Sequence, residues 1–370
     1  DYIIDSFSKT KVRKMKPFIR NLLRMSVYQI KYMDAVPDSA VCNEAVKLAK
    51  RHKFAQLSGF VNGVLRNIAR NIDSVQLDTL SIRYSMPQWI VDRFVAAYGE
   101  KKAEEIFKAF HSKSTISIRT NLTRCTPDEL RAMLEAEGVT VTAVDELNYA
   151  FVISGFDYLN GLQSFRDGLF YVQDISSMLV AQTAAPKKGD YVIDVCAAPG
   201  GKSTHIAELL QGSGHVLARD LTDNKVDMIE ENIERHGLNN MSAEVWDATV
   251  PDADSAGKAD ILICDLPCSG LGVLGRKKDI RYKMTPESVD ELAALQRQIL
   301  DTVHTYVKPN GVLVYSTCTI DEAENEDNVR WFIEKHPEFE LDKSFAEGTG
   351  MKQILPGEHG SDGFFIARFV

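Results

Sequence analysis

Two hydrophobic periods divide this chain. Between residues 17 and 70 apolar side chains return every three to four positions, the spacing of one helix face. Ile19, Leu22, Leu23, Ser26 and Ile30 form one such stripe, with Pro17 suited to a first helical turn. A second helix is expected from Ser39, as N-cap, to Lys53, and a third from Phe54 to Arg70 on the stripe Leu57, Phe60, Val61, Val64, Leu65 and Ile68. Residues 71–85 lack a period and read as a linker. Helices are then expected from Pro87 to Tyr98 and from Glu100 to Phe110, followed by an alternating strand from Thr115 to Asn121. A helix from Thr126 to Glu137 stops at Gly138, and Val139–Val141 and Ala150–Ile153 read as strands. Gln173-Asp174 opens a helix reaching about Ala184. Beyond Asp190 short unbroken apolar runs alternate with helical stretches, the signature of a mostly parallel sheet. Its strands are expected at Tyr191–Val195, Val216–Arg219, Ser242–Val245, Asp260–Cys264 and Val312–Tyr315. The tail Gly363–Phe369 alternates after the turn Leu355-Pro356-Gly357, which fits a closing antiparallel hairpin.

The pattern predicts three parts: an all-helical segment over 1–72, a small α+β module over 73–170 and an α/β domain over 171–370. A chain of 370 residues is long enough for all three. With 44% apolar and 26% charged residues, the composition is that of a globular protein. No run approaches the ~20 apolar residues of a membrane span, so no membrane association is expected. Residue 1 is Asp, and the reading expects upstream helices to complete the first core.

The net charge of −9 hides an asymmetry. Residues 1–70 hold 14 Lys and Arg against 5 Asp and Glu, whereas the remainder holds 29 against 47. A balance of +9 facing −18 points to an N-terminal segment that meets a polyanion. The bland reading is a solvated basic face.

Six cysteines stand at 42, 125, 196, 264, 268 and 318. None forms a CxxC pair, and no His spacing indicates zinc, so reduced thiols, no metal and a cytoplasmic setting are expected. Cys268 lies in Asp265-Leu266-Pro267-Cys268-Ser269-Gly270, just past the strand ending at Cys264. Cys318 lies in Ser316-Thr317-Cys318-Thr319, just past the strand ending at Tyr315. The carboxyl edge of such a sheet is where ligands bind. A lone cysteine is more often a buried structural thiol, the reading given to Cys42, Cys125 and Cys264. Two at one strand edge reverse that.

At the first strand's end, Asp194-Val195-Cys196-Ala197-Ala198-Pro199-Gly200-Gly201-Lys202 turns into a helix expected over Thr204–Leu210. The turn has neither GxGxxG nor GxxxxGK[ST] spacing. Asp220 falls where a ribose-binding carboxylate belongs, Asp247 where an adenine amino group could be held, and Asp265 closes the fourth strand. Four acids, counting Asp194, can surround a cationic, ribose-bearing ligand, although any one could simply cap a helix.

These residues resemble known families. Leu22–Met25, Val36-Pro37, Asn43–Val46 and Gly59–Arg66 look like the second half of a NusB-type RNA-binding domain. Asp194–Lys202, Asp265–Gly270 and Ser316–Thr319 resemble the RNA cytosine-5 methyltransferases, within the Rossmann-like class I S-adenosylmethionine-dependent fold. Together they look like the branch of that family acting on bacterial 16S rRNA. The resemblance implies S-adenosylmethionine held by Cys196, Ala197, Ala198, Pro199, Gly200, Gly201, Lys202, Asp220, Asp247 and Asp265.

The chemistry explains two thiols. Cytosine C5 is a poor nucleophile, and thiolate addition at C6 converts the ring into an enamine that can attack a methyl sulfonium. Spacing does not decide which thiol attacks. The resemblance assigns attack to Cys318 and product release to Cys268, with Asp265 on the base at N3 or N4 and Lys202 assisting. The target base must be unpaired or flipped. Arg276-Lys277-Lys278-Asp279-Ile280-Arg281-Tyr282-Lys283 offers five positive charges and an aromatic for phosphates and stacking, or else is a solvated loop. An adenine amino methyltransferase would carry an aromatic where Cys268 stands, and a DNA cytosine enzyme would not need Cys318. The rival from another class is an RNA-binding ribosome-assembly factor with an inactive methyltransferase fold. A monomer is expected.

Overall fold

The structure, a computed structural model, describes residues 1–112 and 115–370. The chain divides into two compact units, Asp1–Met86 and Pro87–Val370.

The first unit is helical, with helices Tyr2–Phe7, Pro17–Tyr32, Asp38–Arg51 and Ser58–Asn71. Their apolar stripes meet in one core containing Ile4, Ile19, Leu23, Ala49, Val61, Leu65 and Ile68. Two expectations shift by a turn or less. The second helix starts at Asp38 behind Pro37. Lys53 adopts a left-handed φ of 67°, which breaks the chain before a 3-10 turn at Ala55–Leu57. The stretch read as a linker carries a 3-10 turn at Ile72–Ser74 and a short helix at Leu80–Arg83.

The second unit opens with helices Gln88–Tyr98 and Glu100–His111. A four-stranded antiparallel sheet follows, built from β1 (Ile116–Thr120), β2 (Thr140–Val144), β3 (Leu147–Ser154) and β4 (Phe170–Val172) in the order β2-β3-β1-β4. Only β4, three residues long, escapes the sequence pattern. The intervening helix, Pro127–Ala136, starts with a capping box in which Thr126 and Glu129 exchange hydrogen bonds.

The second sheet holds β5 (Tyr191–Asp194), β6 (His215–Asp220), β7 (Met241–Val245), β8 (Ala259–Asp265), β9 (Val307–Thr317), β10 (Met351–Ile354) and β11 (Phe364–Phe369). Their order is β10-β11-β9-β8-β5-β6-β7. The five strands from β7 to β9 run parallel, and the β10–β11 hairpin closes the edge antiparallel to β9.

Alternation explains why these strands are apolar throughout. Val192, Ile261, Ile263 and Val314 face a core with Ile206, Ala207 and Ile229 from helices Gly201–Leu209 and Asp223–His236. Ile193, Leu262, Cys264, Leu313 and Tyr315 face another with Ile299, Leu300, Val329 and Phe332 from helices Pro286–Val303 and Glu326–Lys335. Burying both faces of a parallel sheet requires this, and each large side chain contributes about 1.5–3 kcal/mol. Cys264 sits in the second core and is wholly buried, a structural thiol.

The two sheets of this unit are joined by a buried charge. Arg119 on β1, 0% exposed, donates to Gln173 Oε1, to Glu208 of the Gly201–Leu209 helix, and to Thr204 Oγ1 at 3.1 Å. Removing either member of such a pair would strand a charge in the interior.

Candidate active site

Strand order reverses beside β5, whose neighbours are β6 on one side and β8 on the other. The crevice beyond the carboxyl ends at that switch point is the expected ligand position, and Cys196–Lys202, Asp220, Asp265, Cys268 and Cys318 lie at or just past strand ends along this edge.

On the β5–β6 side, the chain leaves Asp194 through Val195–Pro199 and enters its helix at Gly201, three residues earlier than the pattern indicated. Lys202 therefore stands in the first helical turn. Gly200 turns the corner with φ of 101°, a conformation L side chains rarely adopt. Asp220, nearly buried at the end of β6, receives the backbone N–H of Ala198 at 2.9 Å and of Leu221 at 2.7 Å, with Lys225 Nζ at 2.7 Å. Asp194 does not face the crevice with the other acids. It is wholly buried, accepting from Ser203 Oγ and the Cys196 N–H, so it props the turn from beneath. Burial pushes its carboxyl up to about 7. Asp247 lies exposed beyond β7, where the N–H and hydroxyl of Thr249 bond its carboxylate at 2.9 and 2.7 Å and hold its pKa below the usual value.

On the β8–β9 side the two cysteines converge. Cys268 Sγ and Cys318 Sγ are 3.3 Å apart as free, half-buried thiols. Either sulfur can donate to the other. The hydrogen bond shared with Cys268 lowers the Cys318 pKa against burial and the nearby Asp265 carboxylate, with the charges of Lys202 and Lys277 adding to the lowering. The same bond raises Cys268, with burial and Glu324 adding to it. A thiolate is the nucleophilic form of cysteine, and the direction of the shifts favours it at Cys318 over Cys268. Beside them Lys202 Nζ donates to Asp265 Oδ2 at 2.6 Å, and Ser316 Oγ donates to Asp265 Oδ1 at 2.8 Å. Burial alone would lower the Lys202 pKa, but Asp265 outweighs it and the net direction is up, so the ammonium stays charged.

Behind the thiols lies a buried polar cluster that the sequence pattern did not reveal. Glu324, 0% exposed, accepts from Ser269 N at 2.8 Å, from Ser269 Oγ, and from Gln296 Nε2 at 3.0 Å. Burial pushes its carboxyl up. Asn325 receives the Thr317 hydroxyl at 2.6 Å and donates to Thr319 O at 3.1 Å. In the acidic run Asp321–Asp327, Asp321, Glu324 and Asn325 are buried. The signal available was position: this run begins three residues after Cys318. Asp321 is in turn gripped by Arg93, and Tyr98 OH donates to Ile320 O at 2.6 Å, so the Gln88–Tyr98 helix braces the loop.

The basic stretch over 276–283 is only partly free. Arg276 is paired with Asp174 at 2.9 Å and Asp362 at 2.6 Å, and Arg281 is buried. Lys277, Lys278 and Lys283 reach solvent, with Tyr282 73% exposed. Among the described residues, the group with metal-ligand types in reach of one another is Asp301, His304 and His336, away from the cysteines in sequence and on the far ends of their elements. No helix in the described residues is long and apolar enough to cross a membrane.

The donor set fits S-adenosylmethionine. Asp220 and Asp265 offer carboxylates to a cationic, ribose-bearing molecule, and the Gly200 turn brings backbone to the same crevice.

Residues 181–370 match the family described as 16S rRNA methyltransferase RsmB/F, residues 1–70 the NusB family, and residues 86–156 the RsmF/B-like ferredoxin-like domain. A Bacillus subtilis (strain 168) protein described as a probable ribosomal RNA small subunit methyltransferase B is 38% identical over 99% of this chain and 85% of its own length. The Vibrio cholerae ribosomal RNA small subunit methyltransferase B is 34% identical over 94% of this chain and 80% of its own. A methyltransferase homolog from Pyrococcus horikoshii superposes with a TM-score of 0.66 at 25% identity, covering 78% of this chain and 96% of its own. NSun6 from Pyrococcus horikoshii, solved with the S-adenosylmethionine analogue SFG, shares the fold with a TM-score of 0.69 at 24% identity, over 76% and 97% of the two chains. The chain belongs to the RsmB/F family of S-adenosylmethionine-dependent rRNA methyltransferases.

Proposed function

We propose that the protein transfers a methyl group from S-adenosylmethionine to C5 of an unpaired or flipped cytosine in 16S rRNA, through a covalent bond between Cys318 and C6 of the base. The observation that carries this reading is the meeting of two free thiols at 3.3 Å beside the Lys202–Asp265 pair. Methylation at a ring nitrogen or an amino group needs no thiol, whereas C5 methylation needs one to activate the ring.

When bound, the cofactor supplies an electrophilic methyl on a sulfonium. Asp220 is suited to a ribose by its place at the end of β6, and residues Cys196–Lys202 line the turn beneath. Asp247, on the rim, is held through Oδ1 by Thr249, which leaves Oδ2 for an adenine amino group. Cys318 attacks C6 as the thiolate, and electrons move to C5. Asp265, held by Lys202 and Ser316 from either side, is fixed to accept from the base at N4 or from a protonated N3. Lys202 also favours the anionic sulfur. C5 then takes the methyl group as its bond to the sulfonium sulfur breaks; Cys268, at the side of Cys318, assists release by taking the C5 proton, the C5–H electrons re-form the C5–C6 double bond, the C6–S bond breaks and Cys318 leaves as thiolate. Lys277, Lys278, Lys283 and Tyr282 flank the first cysteine loop and fit phosphate contacts and stacking on an extruded base. The basic helical unit adds sequence-independent RNA affinity.

The test is product identity. Incubation with labelled S-adenosylmethionine and small-subunit rRNA, followed by nucleoside mass spectrometry, should yield 5-methylcytidine. Label on a ring nitrogen or an exocyclic amine, or no transfer to RNA at all, would overturn the reading.

A further inference from the structure

Two cysteine loops from different strands must be held in register if a 3.3 Å thiol pair is to form. Beyond their strands the loops already meet through backbone, the Gly272 N–H donating to Cys318 O at 3.1 Å. What else spans them is specific. Ser269, directly after Cys268, places its hydroxyl 2.9 Å from the hydroxyl of Thr319, directly after Cys318. Glu324, five residues beyond Thr319 on the same loop, reaches back and takes both the backbone N–H of Ser269 at 2.8 Å and its hydroxyl. Gln296 completes the cluster: its Nε2 donates to Glu324 Oε1 at 3.0 Å and to Pro267 O at 2.8 Å, touching the residue before Cys268. Tyr315 OH donates to the Glu324 carbonyl, and Asn328 Nδ2 donates to Gln296 Oε1 at 2.7 Å.

A carboxylate with no exposed surface is costly to bury and is retained where several donors hold it. No Lys or Arg pairs with Glu324 among the described residues; three neutral donors do this work. A neutral cage gives directional bonds to the loop rather than a charge pair that any nearby cation could satisfy.

We propose that Glu324 is a positioning residue for the two-thiol reaction, clamping Ser269 so that Cys268 stands within reach of the adduct that Cys318 forms. The proposal rests on the function proposed above. Glu324 touches neither base nor cofactor; it acts through Ser269 on Cys268. Its loss should therefore harm release of methylated RNA more than formation of the Cys318 bond.

The experiment compares Glu324→Ala, Glu324→Gln and Ser269→Ala with the parent and with Cys268→Ala, using the full chain, rRNA and S-adenosylmethionine. Steady-state turnover and the fraction of protein resistant to denaturants as an RNA adduct are both read. Glu324→Ala is expected to lower turnover on the order of tenfold to hundredfold, leave the KM for S-adenosylmethionine within about twofold, and accumulate adduct as Cys268→Ala does. Glu324→Gln, which retains one acceptor for Ser269, should recover part of the turnover and lose part of the adduct. Should Glu324→Ala fail to fold, Ser269→Ala, which removes the hydroxyl bonds to Glu324 and Thr319 and keeps the backbone one, carries the same expectation in smaller measure. Turnover lost only in proportion to unfolded protein, with no rise in adduct, overturns the positioning role, as does full turnover in Glu324→Ala. If Cys268→Ala itself traps no adduct, the two-thiol reading has failed instead, and the outcomes are thereby distinguished.

Discussion

The two halves of one strand edge are built by different means. On the β5–β6 half, the strand-end groups are held mainly by backbone: Asp220 accepts two amides, with Lys225 Nζ beside them, and Gly200 sets the turn. On the β8–β9 half they are held by side chains, with Cys268, Cys318 and Asp265 positioned by Ser269, Thr319, Glu324, Lys202 and Ser316. A methyl donor needs a shaped pocket, which backbone supplies. A nucleophile needs a particular ionisation state and distance to within a few tenths of an ångström, which buried polar groups supply.

The comparison makes the β8–β9 half the more sensitive to substitution. Cys318→Ala should lose transfer by about 10³-fold or more, with the RNA still bound, as measured by label incorporation and filter binding. Asp220→Ala should raise the KM for S-adenosylmethionine roughly tenfold to hundredfold, the worth of a lost hydrogen bond to a charged group, while leaving the chemistry at the thiols intact. Neutralising Lys277, Lys278 and Lys283 together should weaken RNA binding about tenfold at moderate salt and flatten its salt dependence, read from titrations at several ionic strengths. Asp247→Ala, on an exposed residue, should change cofactor binding by no more than about threefold, seen by calorimetry. A larger loss there than at Asp220 would reverse the ranking of the two carboxylates.

Buried Asp194 gives a pH signature to the backbone-held half. Its folded pKa, about 7, lies above the unfolded value, so the folded state binds the proton more tightly. Its contribution to stability is therefore present at low pH and lost as pH rises from about 4 to about 7. Asp194→Asn should remove that component, so the stability difference between pH 5 and pH 8, read by denaturant unfolding, becomes smaller than in the parent. An unchanged difference would show that Asp194 does not carry it.

The same contrast separates what could be read from the sequence. Unbroken apolar runs gave β5, β6, β8 and β9, because a parallel strand buried on both faces leaves that mark. Glycines and terminal acids gave the cofactor turn, because backbone geometry restricts residue type locally. Cysteines at strand ends gave the thiol pair. Glu324 and Gln296 escaped, because Ser269 and Glu324 stand 55 positions apart in sequence and meet only once the fold closes over them. Arg276 and Arg281 looked free for the same reason. Asp194 was grouped with the ligand-facing acids because a strand end does not state which side its last carboxyl faces; Ser203, nine residues on, decides that.

Whether Cys318 bonds the base and Cys268 frees it is read by mapping the covalent species. Cys268→Ala, incubated with rRNA and S-adenosylmethionine, digested and sequenced by mass spectrometry, should carry a methylated cytidine on the peptide containing Cys318. The double variant lacking both thiols should carry none. A nucleotide attached anywhere else, or attachment that persists once Cys318 is gone, would contradict the account.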